Sequence, residues 1–239
     1  MLAAGAGQRL QPLTGLLPKP LCPVGNVALV DLALARLAAV TTSVAVNVHH
    51  GRVPLETHLG GRVHLSIEDS RPLGTAGALG RLRDWVDGRP VVVVNADAWC
   101  PGGLERLVDG WDGERARLLV PGGDRFGPGV AVAGALLAWP AVARLVPEPS
   151  GLYEAVWASA AAAGRLEVVA HHGPFVDCGT PARYLAANLA ASGGASVIGR
   201  GATVAGELRR SVVWPGSHVH AGEHLVDAIR AGPLTVAVR

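Results

Sequence analysis

Val91-Val92-Val93-Val94-Asn95-Ala96-Asp97 is a β-branched apolar run that ends abruptly in two polar residues. Four consecutive valines favour a buried extended segment, and the polar end places Asn95 and Asp97 where the chain leaves the sheet. Comparable runs at 44–48, 63–67 and 117–120 also read as strands. Between these runs, residues 27–39, 75–85 and 103–111 carry apolar side chains at helical spacing. The alternation predicts an α/β fold built on a doubly wound, mostly parallel sheet with helices on both faces. In such sheets ligands bind at the carboxyl ends of the strands, the position of Asn95 and Asp97.

From about residue 192 the texture changes. Ile198, Val204, Val213, Val219 and Leu225 recur at spacings of 6, 9, 6 and 6, with glycines at 199, 201, 206, 216 and 222. A six-residue period of aliphatic residues and turns is the pattern of a parallel β-helix. The expected organisation is a domain over 1–191 followed by a short left-handed β-helix appendage over 192–239. An exposed coil edge would offer unpaired backbone groups to a partner, so the tail is a candidate surface for homo-oligomerisation.

The 239 residues carry 49% hydrophobic but only 4% aromatic side chains, so the core must rest on Ala, Val and Leu. The formal net charge is +2 with the basic residues scattered, which argues against a nucleic-acid surface. Mean hydropathy is positive, +0.32. No apolar run approaches the ~18 residues of a membrane span, and Gly5, Gly7, Gln8 and Arg9 interrupt any leader-like start. Cys22, Cys100 and Cys178 are too far apart and odd in number for a disulfide framework, which fits a reducing cytoplasm. His218, His220 and His224 lack thiolate partners and read as tail residues rather than a zinc site.

Of the 21 basic residues, 20 are arginine and only Lys19 is lysine. It stands in Pro18-Lys19-Pro20, shortly after Leu2-Ala3-Ala4-Gly5-Ala6-Gly7-Gln8-Arg9-Leu10. A glycine loop whose amides cradle anionic oxygens, beside one compact ammonium, suits a phosphate chain. Two better-known phosphate loops are excluded by spacing. Leu10 occupies the third glycine position of a dinucleotide fingerprint, and the Gly-Lys-Ser/Thr of a P-loop is absent. Only Met1 and Leu2 precede Ala3, although such a loop should follow a strand; the reading expects a start upstream of Met1.

The whole run from Leu2 to Val24 closely resembles the signature of the sugar-1-phosphate nucleotidyltransferases, and the segment Pro72-Leu73-Gly74-Thr75-Ala76-Gly77 and the C-terminal tail look most like the mannose-1-phosphate guanylyltransferases among them. Further landmarks fall in the family's order: Pro72-Leu73-Gly74-Thr75-Ala76-Gly77-Ala78-Leu79, Asn95-Ala96-Asp97, and Phe175-Val176-Asp177-Cys178-Gly179-Thr180-Pro181. The resemblance implies a Rossmann-like sheet and an enzyme that joins an NTP to a sugar 1-phosphate and releases pyrophosphate. It assigns nucleotide contacts to Leu2, Ala3, Ala4, Gly5, Ala6, Gly7, Gln8, Gly74, Thr75, Gly77 and Asn95. It gives catalytic roles to Arg9 and Lys19, a Mg²⁺ to Asp97 and Asp177, and a sugar contact to Gly134. The stretch Gly122-Gly123-Asp124-Arg125-Phe126-Gly127-Pro128-Gly129 departs from relatives, and the Glu-Lys pair that many of them place near the sugar is missing. GTP with mannose 1-phosphate is the expected pair. Alternatives are a uridylyltransferase for glucose or N-acetylmuramate 1-phosphate, or a catalytically silent regulatory paralogue. A glycosyltransferase is disfavoured because Asn95-Ala96-Asp97 lacks the first aspartate of an Asp-x-Asp pair.

Overall fold

The computed structural model describes residues 1–123 and 125–238, so Asp124 of the glycine-rich stretch lies outside the described residues. The chain divides into two compact units. The first comprises Met1–Gly5, Ala33–Ala96 and Cys100–Phe175; the second comprises Ala6–Leu32, Asp97–Trp99 and Val176–Arg239.

The first unit holds a four-stranded sheet in the order Val91–Val93, Gly134–Leu137, Ala116–Pro121, Leu166–His171. Ala116–Pro121 and Leu166–His171 run parallel, as do Ala45–Val48 and His64–Ile67. Gly134–Leu137 runs antiparallel to both of its neighbours, one reversed strand in a unit whose other described pairings are parallel. Sequence period did not reveal this strand, because Gly-Ala-Leu-Leu has no β-branched residue. Its glycine has a packing reason. A Cβ on Gly134 would stand 3.0 Å from Leu104 Cδ2 and 3.3 Å from Leu107 Cδ2.

Leu2 forms isolated parallel bridges to both Asn47 and Asn95. It donates to Val94 C=O at 2.9 Å and accepts from Ala96 N–H at 2.9 Å. Beside it an apolar cavity of about 430 Å³ is lined by Met1, Val44, Ala45, Val92, Leu79 and Leu136, among others. The anticipated helices are shorter than their apolar patterns. Residues 75–85 resolve into helices Gly74–Arg81 and Arg83–Val86, and 103–111 keeps only Glu105–Val108 as helix.

In the second unit, Pro23–Val24 and Val27–Ala28 form a hairpin closed by Gly25 and Asn26, at φ 57° and 67°. Two consecutive left-handed residues are what a tight hairpin demands, so the helix expected over 27–39 begins only at Leu29. Helix Pro181–Ala191 is capped by Thr180, whose hydroxyl oxygen accepts from Arg183 N–H. Tyr184 and Leu185 of that helix join Leu10, Leu13, Cys22, Val197, Trp214 and Ile229 in one apolar core.

The C-terminal segment stacks through three parallel ladders: Val197–Ile198 on Val212–Val213 on Ala228–Ala231, Thr203–Val204 on His218–Val219, and Glu207–Arg209 on His224–Val226. Val213, Val219 and Leu225 are buried, with Val204 partly so; Ile198 is exposed. Leu234–Ala237 then returns antiparallel to Ala228–Ala231. No helix among the described residues is long and apolar enough to cross a membrane.

Candidate active site

The glycine loop and the lone lysine meet in the second unit. Gly7 is left-handed, φ 63°, and starts the turn Gln8–Leu10. A Cβ there would lie 3.0 Å from Thr14 Cγ2 and 3.1 Å from Lys19 Cβ. Glycine is therefore required twice, for its backbone angle and for close approach to the lysine stem. Thr14 Oγ1 also donates to Gly7 C=O at 3.2 Å. Pro18 and Pro20 flank Lys19 and hold the turn Lys19–Leu21, which Cys22 N–H closes onto Lys19 C=O.

The carboxylates arrive by strand pairing. Ala98–Trp99 lies antiparallel to Val176–Asp177 with Asp177 opposite Ala98, so Asp97 and Asp177 end up side by side. Lys19 Nζ lies 2.9 Å from Asp97 Oδ2 and 3.1 Å from Asp177 Oδ1. Its side chain is only 5% exposed. Arg9 Nη2 and Arg183 Nη1 approach the other Asp177 oxygen at 3.5 and 3.4 Å, with side chains 72% and 61% exposed. Gly179 leaves room for this: a Cβ there would stand 2.9 Å from Arg9 Nη2 and 3.0 Å from Asp177 Oδ1.

Burial alone would push the Asp177 carboxyl up, but the Lys19 ammonium, then Arg9 and Arg183, outweigh it and hold it below its ordinary value. Three cations face two carboxylates, so the cluster keeps a net positive charge. A surplus cation beside two half-exposed carboxylates can attract a polyphosphate and, with it, a magnesium ion. Mg²⁺ is usually bound by one or two carboxylates and completed by substrate phosphates and water. Asp97 and Asp177 fit that donor set. No group of three or more His, Cys, Asp or Glu side chains suited to a metal occurs among the described residues.

The remaining nucleotide candidates lie in the first unit. Ala3 and Ala4 are buried, while Gly5 and Asn95 are exposed. Gly74 and Gly77 are glycines for a packing reason. Cβ atoms there would stand 2.5 Å from Ser150 O and 2.1 Å from Glu148 O, and Gly80 repeats this against Val146. Thr75 does not cap its helix; its Oγ1 accepts from Leu152 N–H at 2.8 Å.

Several other side chains near these elements are occupied by packing or by local polar contacts. Trp99 packs in the core of the second unit. The Cys178 and Cys22 thiols are pushed up to about 12, chiefly by burial. His218 contacts Thr203, and His224 Nδ1 lies 3.0 Å from Glu207 Oε2. Arg183 was missed by sequence reasoning; its position three residues past a Thr N-cap was the available signal.

The family profile described as nucleotidyl transferase matches residues 1–122. The chain belongs to the nucleotidyl transferase family. It is 34% identical over 128 residues to an N-acetylmuramate alpha-1-phosphate uridylyltransferase of Caulobacter vibrioides, a match covering 48% of this chain and 53% of that protein. It is 36% identical over 110 residues to a mannose-1-phosphate guanyltransferase of Neurospora crassa, covering 42% of this chain and 30% of that protein. The matched stretches thus span about half or less of these curated relatives.

Among solved structures, a Thermus thermophilus protein described as a mannose-1-phosphate geranyltransferase superposes with a TM-score of 0.74 at 18% identity, covering 99% of this chain and 93% of its own. A UDP-glucose pyrophosphorylase of Acinetobacter baumanii gives 0.64 at 17% identity, covering 80% and 91%. At these identities the likeness is one of fold, and it places this nucleotidyl transferase family member on a fold shared with them.

Proposed function

We propose that this nucleotidyl transferase family member joins an NTP to a sugar 1-phosphate, giving an NDP-sugar and pyrophosphate. The observation that carries the reading is Lys19 Nζ seated between Asp97 and Asp177, with Arg9 and Arg183 at the rim. In this reaction an oxygen of the sugar phosphate attacks the α-phosphorus, and the bond to the bridging oxygen of the leaving pyrophosphate breaks. The nucleophile is already ionised, so no general base is needed, and positioning with charge neutralisation dominates.

Lys19 and Arg9, with the amides of Ala6, Gly7 and Gln8, are assigned to the triphosphate. Arg183 adds a third cation for phosphoryl oxygens. Asp97 and Asp177 would hold Mg²⁺, which when bound neutralises charge on the phosphates. The nucleoside contacts are assigned to Leu2, Ala3, Ala4, Gly5, Gly74, Thr75, Gly77 and Asn95, and a sugar contact to Gly134.

GTP and mannose 1-phosphate are the first pair to test. A uridylyltransferase for N-acetylmuramate 1-phosphate is the second reading, favoured by the longer match to the Caulobacter vibrioides protein. The same reading takes residues 1–191 as the catalytic segment, with 192–239 as a left-handed β-helical appendage that offers a surface for self-association. The three free buried cysteines accord with a reducing cytoplasm.

The test is a grid of four NTPs against mannose, glucose, N-acetylglucosamine and N-acetylmuramate 1-phosphates, read as pyrophosphate release with Mg²⁺. One productive pair is expected. Silence across the grid with nucleotide binding intact would replace the enzyme by a regulatory paralogue.

A further inference from the structure

Glu68 is a carboxylate that the reaction above does not use, and it is only 3% exposed. Its Oε2 accepts from Leu73 N–H at 2.8 Å, one residue before helix Gly74–Arg81. Its Oε1 accepts from Asn47 Nδ2 at 2.8 Å. Asn47, also 3% exposed, in turn accepts from Ala3 N–H through Oδ1 at 2.8 Å. Both carboxylate oxygens of Glu68 are thus engaged by neutral N–H donors.

The chain of bonds therefore runs Ala3 N–H, Asn47, Glu68, Leu73 N–H, entirely inside the first unit. It ties the opening of the glycine loop to the opening of the Gly74-Thr75-Ala76-Gly77 segment. From behind, that segment is braced by Ala76 N–H on Ser150 C=O and Ser150 N–H on Leu73 C=O, both 3.0 Å. A side chain whose two oxygens satisfy two donors from different segments sets the spacing of those segments.

We propose that Glu68, acting through Asn47, is a positioning residue that holds the two nucleotide-contact segments in register for the NTP. The proposal rests on the nucleotidyl-transfer reading of those segments. The polarity of the clamp makes it testable. Asn47 must present its oxygen to Ala3 and its NH₂ to Glu68, and Glu68 must accept on both oxygens. Glu68→Gln places an NH₂ against one of the two donors and leaves one bond unmade. Asn47→Asp sets a second carboxylate against Glu68. Combining the two changes restores every bond with the same atom count and charge, because the carboxylate at position 47 then accepts from both Ala3 and the new glutamine amide.

The experiment measures NTP affinity by titration, steady-state KM for each substrate, and backbone amide exchange at Ala3 and Leu73, for wild type, both single variants and the double variant. Each single variant should weaken NTP binding roughly tenfold, the scale of one buried hydrogen bond. The KM for sugar 1-phosphate should stay within about twofold, the two amides should exchange faster, and the double variant should recover all three readouts. Should Glu68→Gln fail to fold, Glu68→Asp, which keeps both acceptors but withdraws them by one methylene, serves in its place. Faster amide exchange with unchanged NTP affinity would reduce the clamp to a structural bond and overturn the proposal alone. A folded wild type that binds none of the four NTPs would overturn the nucleotidyl-transfer reading beneath it.

Discussion

Lys19 Nζ sits 2.9 Å from Asp97 Oδ2 and completes a second ion pair to Asp177 at 3.1 Å, with almost none of its side chain in water. The lone lysine of the chain thus occupies the place where two carboxylates would otherwise repel each other. An ammonium on a flexible stem can leave one carboxylate for a phosphoryl oxygen, which a planar guanidinium does less readily.

Replacing this lysine should damage both chemistry and fold. Lys19→Ala is expected to lower kcat by at least about a hundredfold. It should also destabilise the protein, because two neighbouring carboxylates lose their shared counter-ion. Steady-state pyrophosphate release at a temperature where the variant is still folded separates the two effects. Lys19→Arg should recover stability better than activity.

The exposed arginines should behave differently. Arg9→Ala and Arg183→Ala are each expected to change stability by less than about 1 kcal/mol, since exposed pairs contribute little. Each should nevertheless lower kcat/KM roughly tenfold, because a charge-assisted bond to a phosphoryl oxygen is lost. Chemical denaturation together with kinetics checks both statements; a loss of stability without a loss of kcat/KM would contradict them.

Acid sensitivity follows from Asp177. Its carboxyl is lowered in the folded protein because its cations outweigh the opposing effect of burial. A lowered folded value contributes stability above the unfolded carboxylate's value, about 3.9, and that contribution is lost as pH falls through the lower folded value. Denaturation curves below about pH 4 should show this loss. In Lys19→Met, with the main cation gone and burial opposed only by Arg9 and Arg183, this acid-dependent loss should shrink.

Thiol chemistry should be silent. Cys22, Cys100 and Cys178 are all buried and free. Burial pushes Cys22 and Cys178 up to about 12 and raises Cys100 as well, so thiolate is scarce at pH 8. A maleimide at that pH should label none of the three in the folded protein and all of them after unfolding. Rapid native labelling of Cys178 would contradict the packing around Asp177.

Gly77 tests the close packing behind the Gly74-Thr75-Ala76-Gly77 segment. Gly77→Ala drives a Cβ to 2.1 Å from the Glu148 carbonyl, a backbone atom that cannot swing aside. A destabilisation of about 1–3 kcal/mol is expected by thermal unfolding.

Much of the site was legible in the sequence because its chemistry is local. Gly7, Arg9 and Lys19 fall within one short run, and Gly7 packs directly on the lysine stem. Asp97 and Asp177 were legible only through resemblance, since the antiparallel pairing that unites them involves two-residue strands with no period to read. Strand Gly134–Leu137 escaped for lack of β-branched residues, and the hairpin at Gly25-Asn26 was hidden by an apolar run that continued into helix. The Glu68 clamp left one trace: an asparagine inside Val44-Ala45-Val46-Asn47-Val48, a polar side chain where an apolar one would pack.

The most direct test of nucleotidyl transfer is pyrophosphate release from GTP and mannose 1-phosphate, or from the productive pair of the grid, with wild type and Lys19→Ala compared at equal folded concentration. The expected result is turnover by the wild type and a loss of at least about a hundredfold in the variant. Equal turnover by both proteins would contradict the role given to the Lys19, Asp97 and Asp177 cluster.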